Sequence, residues 1–315
     1  MAVGGGERSS EHGHEHFGPA DAAELATQAG TRATWISLGV LALTAGIQFV
    51  VAMVSGSVAL LADTIHNITD ALTAIPLLIA FRLARKPPSR RYPYGYHRAE
   101  DVAGLVIVAF IFASAIVAGI EAIQRLIRPQ GVSKPGWVLA AGVVGVIGNE
   151  AVAAYRIAVG KRIGSAALVA DGLHARTDGL ASLGVVVATI GVVLGFDRAD
   201  ALVGLAITVA ILVTLWRAAR TVLHRALDGT DETTLALIEA VAGAVPGVEH
   251  VTEAKARWSG HRLLAELNVA VEPTLTVDRG HEIADAVHGA LLAEVPRLAE
   301  AMVHVDPHDH APHGA

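Results

Sequence analysis

The 315-residue chain is 53% hydrophobic and 17% charged, with a mean hydropathy of +0.50. That balance is too apolar for an ordinary soluble protein and points to several membrane spans. A formal net charge of −6 argues against nucleic acid as the main partner, and the absence of cysteine excludes disulfides, thiolate metal sites and thiol catalysis.

Residues 1–33 are polar and rich in Gly and Ala, with an HGHEH tract at 12–16. They read as a disordered arm. Its His12, His14 and His16 either collect metal loosely or belong to a tail without specific function. No basic segment leads into an apolar one, so no cleaved signal peptide is expected. Six apolar segments follow, near 34–54, 58–82, 101–127, 134–158, 165–194 and 200–222, each long enough to cross a bilayer. Basic residues crowd the 2–3 loop (Arg82, Arg85, Lys86, Arg90, Arg91, Arg98), the 4–5 loop (Lys161, Arg162) and the end of the sixth span (Arg217, Arg220, Arg225). The positive-inside rule then puts both termini in the cytoplasm, and the expected location is the cell (inner) membrane.

From about residue 226 the texture is that of a soluble domain. Residues 231–244 have helical spacing, 249–257 and 262–271 alternate around Ser259-Gly260, 278–293 form an amphipathic helix and 302–305 a short strand. The expected fold is therefore an all-α membrane domain at 34–225, then a small α+β domain (αββαβ) at 226–306 and a His-containing tail at 307–315. A core of that size makes dimerisation a natural expectation.

One stretch occurs twice. SVALLADTIHNITDAL (57–72) and SAALVADGLHARTDGL (165–180) agree at nine of sixteen positions. Each copy holds His-x-x-x-Asp, which on a helix puts imidazole and carboxylate on one face. Ionisable groups in apolar spans are costly and usually functional. Two such helices face to face offer His66, Asp70, His174 and Asp178, a four-ligand set. Two carboxylates balance a divalent ion, and two neutral imidazoles complete a tetrahedral shell that suits zinc, iron(II), cobalt or cadmium better than magnesium or calcium. A single such motif is also what a helix-packing hydrogen bond looks like; two copies in one frame favour the metal site. Asp63 and Asp171 precede each histidine by three residues, either orienting the imidazoles, lining an entrance or capping a helix. Glu150 either faces an ion pathway or pairs with Arg156 or Lys161. The RAED run at 98–101 marks the start of the third span.

LLADTIHNITD, YPYGYHRAEDVAGL and SAALVADGLHARTDGLASLGV, with six spans and a terminal αββαβ domain, resemble the cation diffusion facilitator family over residues 34–306. The resemblance implies a homodimer that exports a divalent metal in exchange for protons, with its site between spans 2 and 5. It also implies a ferredoxin- or copper-chaperone-like C-terminal domain that often binds metal, here at His281, His304 and Asp306. His66 at the first ligand position resembles zinc-preferring members. Thr252 and Asn268 stand where some members have ligand histidines, so a weaker site would recruit His261, His308 or His310. Tyr92 and Tyr96, with His97 one place off, leave no loop site expected. The resulting reading is a zinc efflux transporter, not an enzyme. The alternatives are an intramembrane metal-dependent hydrolase and a metal-sensing membrane scaffold.

Overall fold

The computed structural model describes residues 19–55, 74–127, 134–196 and 198–307. Helix α1 (Pro19–Ser55) is followed by α2 (Ala74–Ala84), α3 (Ala99–Ile127), α4 (Pro135–Ile163), α5 (Ala166–Val193) and α6 (Ala199–Ala226). Among the described residues five helices are long and apolar enough to cross a membrane, and α2 is the described part of the second expected span. Their outer faces expose large apolar side chains such as Leu43, Ile147 and Trp216, as a lipid-facing surface requires.

Helix α1 begins at Pro19, so residues 19–33 are helical where an irregular arm was expected. Pro at the first position is compatible with a helix, and Ala, Glu and Gln are strong helix formers. The threonines of α1 turn their hydroxyls inward: Thr27, Thr31 and Thr34 each donate to the carbonyl four residues back, at 2.8–2.9 Å. This lower part of α1 packs against the C-terminal domain, and that packing is absent from local sequence.

Helices α4 and α5 pack along their length. Small residues allow it: a Cβ on Gly172 of α5 would lie 3.0 Å from the Ile157 nitrogen of α4. Gly164, at φ 81°, ends α4, and Ser165 caps α5 by accepting from the Leu168 nitrogen at 3.0 Å. In the second copy the first identity of the repeat is thus a helix cap.

The C-terminal domain runs α7 (Glu232–Gly243), β1 (His250–Ser259), β2 (Arg262–Val271), α8 (Val277–Glu294) and β3 (Leu298–Pro307). β1 and β2 form an antiparallel hairpin, and α8 carries the chain back to place β3 parallel to β2. Ile238, Leu263, Leu267, Val269, Val287 and Leu291 lie in one core that α7 and α8 seal against the sheet. The αββαβ order is as expected; β3 is longer than the strand expected at 302–305.

Candidate metal centre

The cap at Ser165 sets the phase of α5, and its buried face carries Asp171, His174 and Thr177. His174 is 2% exposed, and its Nδ1 lies 3.8 Å from the Asp178 Oδ1 one turn on. Bonds of about 2.1 Å at tetrahedral angles separate neighbouring ligand atoms by roughly 3.4 Å, so this pair is spaced close to two corners of such a shell. Thr177 donates to the His174 carbonyl at 2.6 Å, a bond that ties the hydroxyl down within the same turn. His66 and Asp70 lie outside the described residues. Among the described residues no three His, Asp or Glu side chains converge to hold an ion, since the repeat assigns half of the set to 57–72.

Asp171, fully buried, forms an ion pair at 2.8 Å with Arg156 of α4, which is 1% exposed. It caps no helix. Its charge is met by a guanidinium, so the carboxylate that α5 holds beside His174 is that of Asp178. Glu150 pairs with neither Arg156 nor Lys161. It takes a two-pronged contact from Arg176, at 2.6 and 3.2 Å. Arg156 faces the buried side of α4 and meets Asp171 there, leaving the opposite pairing to Arg176.

In the C-terminal domain, His304 Nε2 lies 3.0 Å from Asp306 Oδ1 on β3. His281 is exposed and sits 3.5 Å from Asp285 on α8. His281 and Asp306 both line a cavity of about 460 Å³. Thr252 donates to the Asn268 carbonyl at 3.2 Å, so the two positions that depart from ligand histidines are tied to one another. His308 and His310 lie outside the described residues.

A second polar cluster was not legible in the sequence. The tip of the β1–β2 hairpin is plugged into the start of α3. His261 Nδ1 lies 2.8 Å from Glu100 Oε2, with both side chains 2% exposed. Gly260, at φ 61°, donates its nitrogen to Asp101 Oδ2 at 3.0 Å. A Cβ there would lie 2.7 Å from the His97 carbonyl, so only glycine fits. The other edge of His261 faces α1, at the Ala23 carbonyl and Thr27 hydroxyl. Burial alone works against charge on His261, but the Glu100 hydrogen bond and charge outweigh it and raise the pKa. His97, half-buried and facing Arg262 at 2.7 Å, is pushed down to about 4 by that burial and by the neighbouring guanidinium. His261 is therefore an interdomain residue and stands apart from the cavity beside His281. Arg98 with Asp228, and Arg225 stacked 4.2 Å over the Trp258 ring, complete the seam. The one sequence signal was the acid pair of RAED at the foot of a span.

Residues 34–225 match the family model described as the cation efflux transmembrane domain, and 230–308 match that of the cation efflux protein cytoplasmic domain. The chain is 53% identical over 299 residues to the "Probable cation efflux system protein Rv2025c" of Mycobacterium tuberculosis (strain H37Rv), covering 95% of this chain and 90% of that protein. It is 30% identical to the "Cation-efflux pump FieF" of Serratia proteamaculans, covering 82% of this chain and 87% of the pump. A solved nickel form of the MamM C-terminal domain is similar over 25% of this chain and 100% of its own length, at 30% identity and a TM-score of 0.25.

Proposed function

Because the chain belongs to the cation efflux (cation diffusion facilitator) family of membrane transporters, we propose that its cargo is zinc. The ion is held between the second and fifth spans by His66, Asp70, His174 and Asp178 and exchanged for protons by alternating access. The observation that carries this reading is the pairing of buried His174 with the partly exposed Asp178, one nitrogen and one oxygen at ligand-like spacing on the second copy of the repeat. The repeat supplies an equivalent pair from 57–72. Such a set is net neutral around a divalent cation, which suits a low-dielectric interior. Iron(II), cobalt and cadmium are the competing cargoes for the same donors.

Protons and metal compete for these atoms. Imidazole titrates near neutral pH, so proton entry from the far side weakens the site and helps the ion leave. We also read the chain as a homodimer in the cell (inner) membrane with both termini cytoplasmic. The dimer is supported by the match of 230–308 to the family's cytoplasmic domain, and the orientation by the basic short loops. His281, His304 and Asp306 are the residues through which that domain would sense zinc. An intramembrane hydrolase and a scaffold without transport both give way to the family assignment.

The test is zinc flux into sealed vesicles holding the purified protein, with a pH gradient imposed and then removed. Asp178→Ala and Asp70→Ala each remove a ligand and the charge balance, and flux should fall at least a hundredfold. Wild-type rates in either variant would show the paired site to be misassigned.

A further inference from the structure

A cavity of about 610 Å³ opens where the foot of α1 and the end of α4 meet the C-terminal domain. One wall is apolar, formed by Leu25, Ala26 and Ala29 of α1. The lining also includes Arg162, Arg262 and Arg297, and Glu294 is the carboxylate among the lining residues. Three guanidiniums against one lining carboxylate give the cavity a positive excess, which Glu300 outside the lining offsets in part at Arg262. Arg162 is exposed, and it makes no hydrogen bond or ion pair among the described residues. Arg262 spends one nitrogen on His97, while its buried Nε has no acceptor among the described residues. Arg297 is anchored on the Lys161 carbonyl at 2.9 Å and sits at φ 65°, a left-handed conformation rare for a residue with a side chain. Such strain is held where surrounding structure requires it, often at binding sites.

We propose that this cavity binds the phosphoryl headgroup of an anionic phospholipid. Guanidinium forks match phosphate oxygens in pairs and hold them more firmly than ammonium groups do. The level in the molecule favours a lipid over a free anion. Helix α4 ends at Ile163, just past the apolar segment expected at 134–158, so Arg162 lies at the edge of the membrane helices where headgroups lie. Bound there, the lipid would bridge α1, α4 and the loop after α8, and so brace the C-terminal domain against the membrane helices.

The test uses the full chain in a neutral detergent, melted with added phosphatidylglycerol, phosphatidylcholine or millimolar inorganic phosphate. Phosphatidylglycerol should raise the melting temperature by several degrees, and the other two should not. Arg162→Gln should remove at least half of that shift, and Arg162→Gln with Arg297→Gln nearly all of it. Arg162 holds no partner among the described residues, so its single variant keeps the test decisive if the double variant fails to fold. Arg217→Gln with Arg220→Gln removes equal charge from exposed positions outside the cavity lining and should leave the shift intact. Equal shifts with both lipids, a shift reproduced by inorganic phosphate, or an undiminished shift in Arg162→Gln would each overturn the proposal.

Discussion

Asp171 and Asp178 lie on the same helix seven residues apart, yet their roles diverge because of what α4 brings to each. Arg156 meets Asp171 in a site that excludes water, so each charge depends on the other. Removing one partner should be strongly destabilising, by about 3–5 kcal/mol, since it leaves an uncompensated buried charge. Arg156→Met and Asp171→Leu are each expected to lower the melting temperature of the purified protein markedly. The double variant Arg156→Met with Asp171→Leu should recover most of that loss. If the double variant is as unstable as the sum of the two singles, the pair is not coupled in this way.

At the scale of elements, the places where the two copies of the repeat differ follow from the neighbours of α5. Gly172 stands where the first copy has Thr64, and the α4 backbone leaves no room for a Cβ there. Gly179 stands where the first copy has Ala71, and a Cβ there would lie 3.4 Å from Asn149 Cβ, an ordinary contact. Gly172→Thr should therefore force α4 and α5 apart at a cost of about 1–3 kcal/mol, while Gly179→Ala should be nearly neutral. Thermal melting of the two variants in one detergent checks the contrast. Equal effects would mean that the α4–α5 spacing is not set at Gly172.

For the whole molecule, the hairpin plug makes the docking of the C-terminal domain depend on pH in two opposed ways. The raised pKa of His261 means that its stabilisation is complete below the ordinary value of 6.5 and is lost as pH rises through the folded value. His97, held down at about 4, does the reverse: its contribution is present above 6.5 and is lost as pH falls towards 4. Above pH 6.5 the full chain should therefore melt at progressively lower temperature as His261 gives up its proton. His261→Gln should flatten this alkaline limb, read by melting temperature from pH 6.5 upward. An unchanged alkaline limb would mean that the ion pair with Glu100 contributes nothing to docking.

Hydropathy, periodicity and repetition are local properties, and they were enough to read the apolar spans, the αββαβ order and the doubled His-x-x-x-Asp directly from the chain. The Ser165 cap and the Gly164 stop belong to the same local grammar. Pairings between distant residues do not. Whether Glu150 meets Arg156, Lys161 or Arg176 depends on how α4 and α5 are rotated about each other, and neighbouring charges in the chain cannot reveal that. His261 and Glu100 are 161 residues apart; a recruit to a C-terminal metal site and the start of a span were the local readings of the two. Likewise the helical foot of α1 is stabilised by a surface that exists only once the C-terminal domain has folded beneath it. The sequence by itself determined the elements and the doubled His-x-x-x-Asp motif, because hydrogen bonding and apolar burial within an element depend on near neighbours. The tertiary structure alone decided which buried charges neutralise one another, because that choice depends on which faces pack together and exclude water.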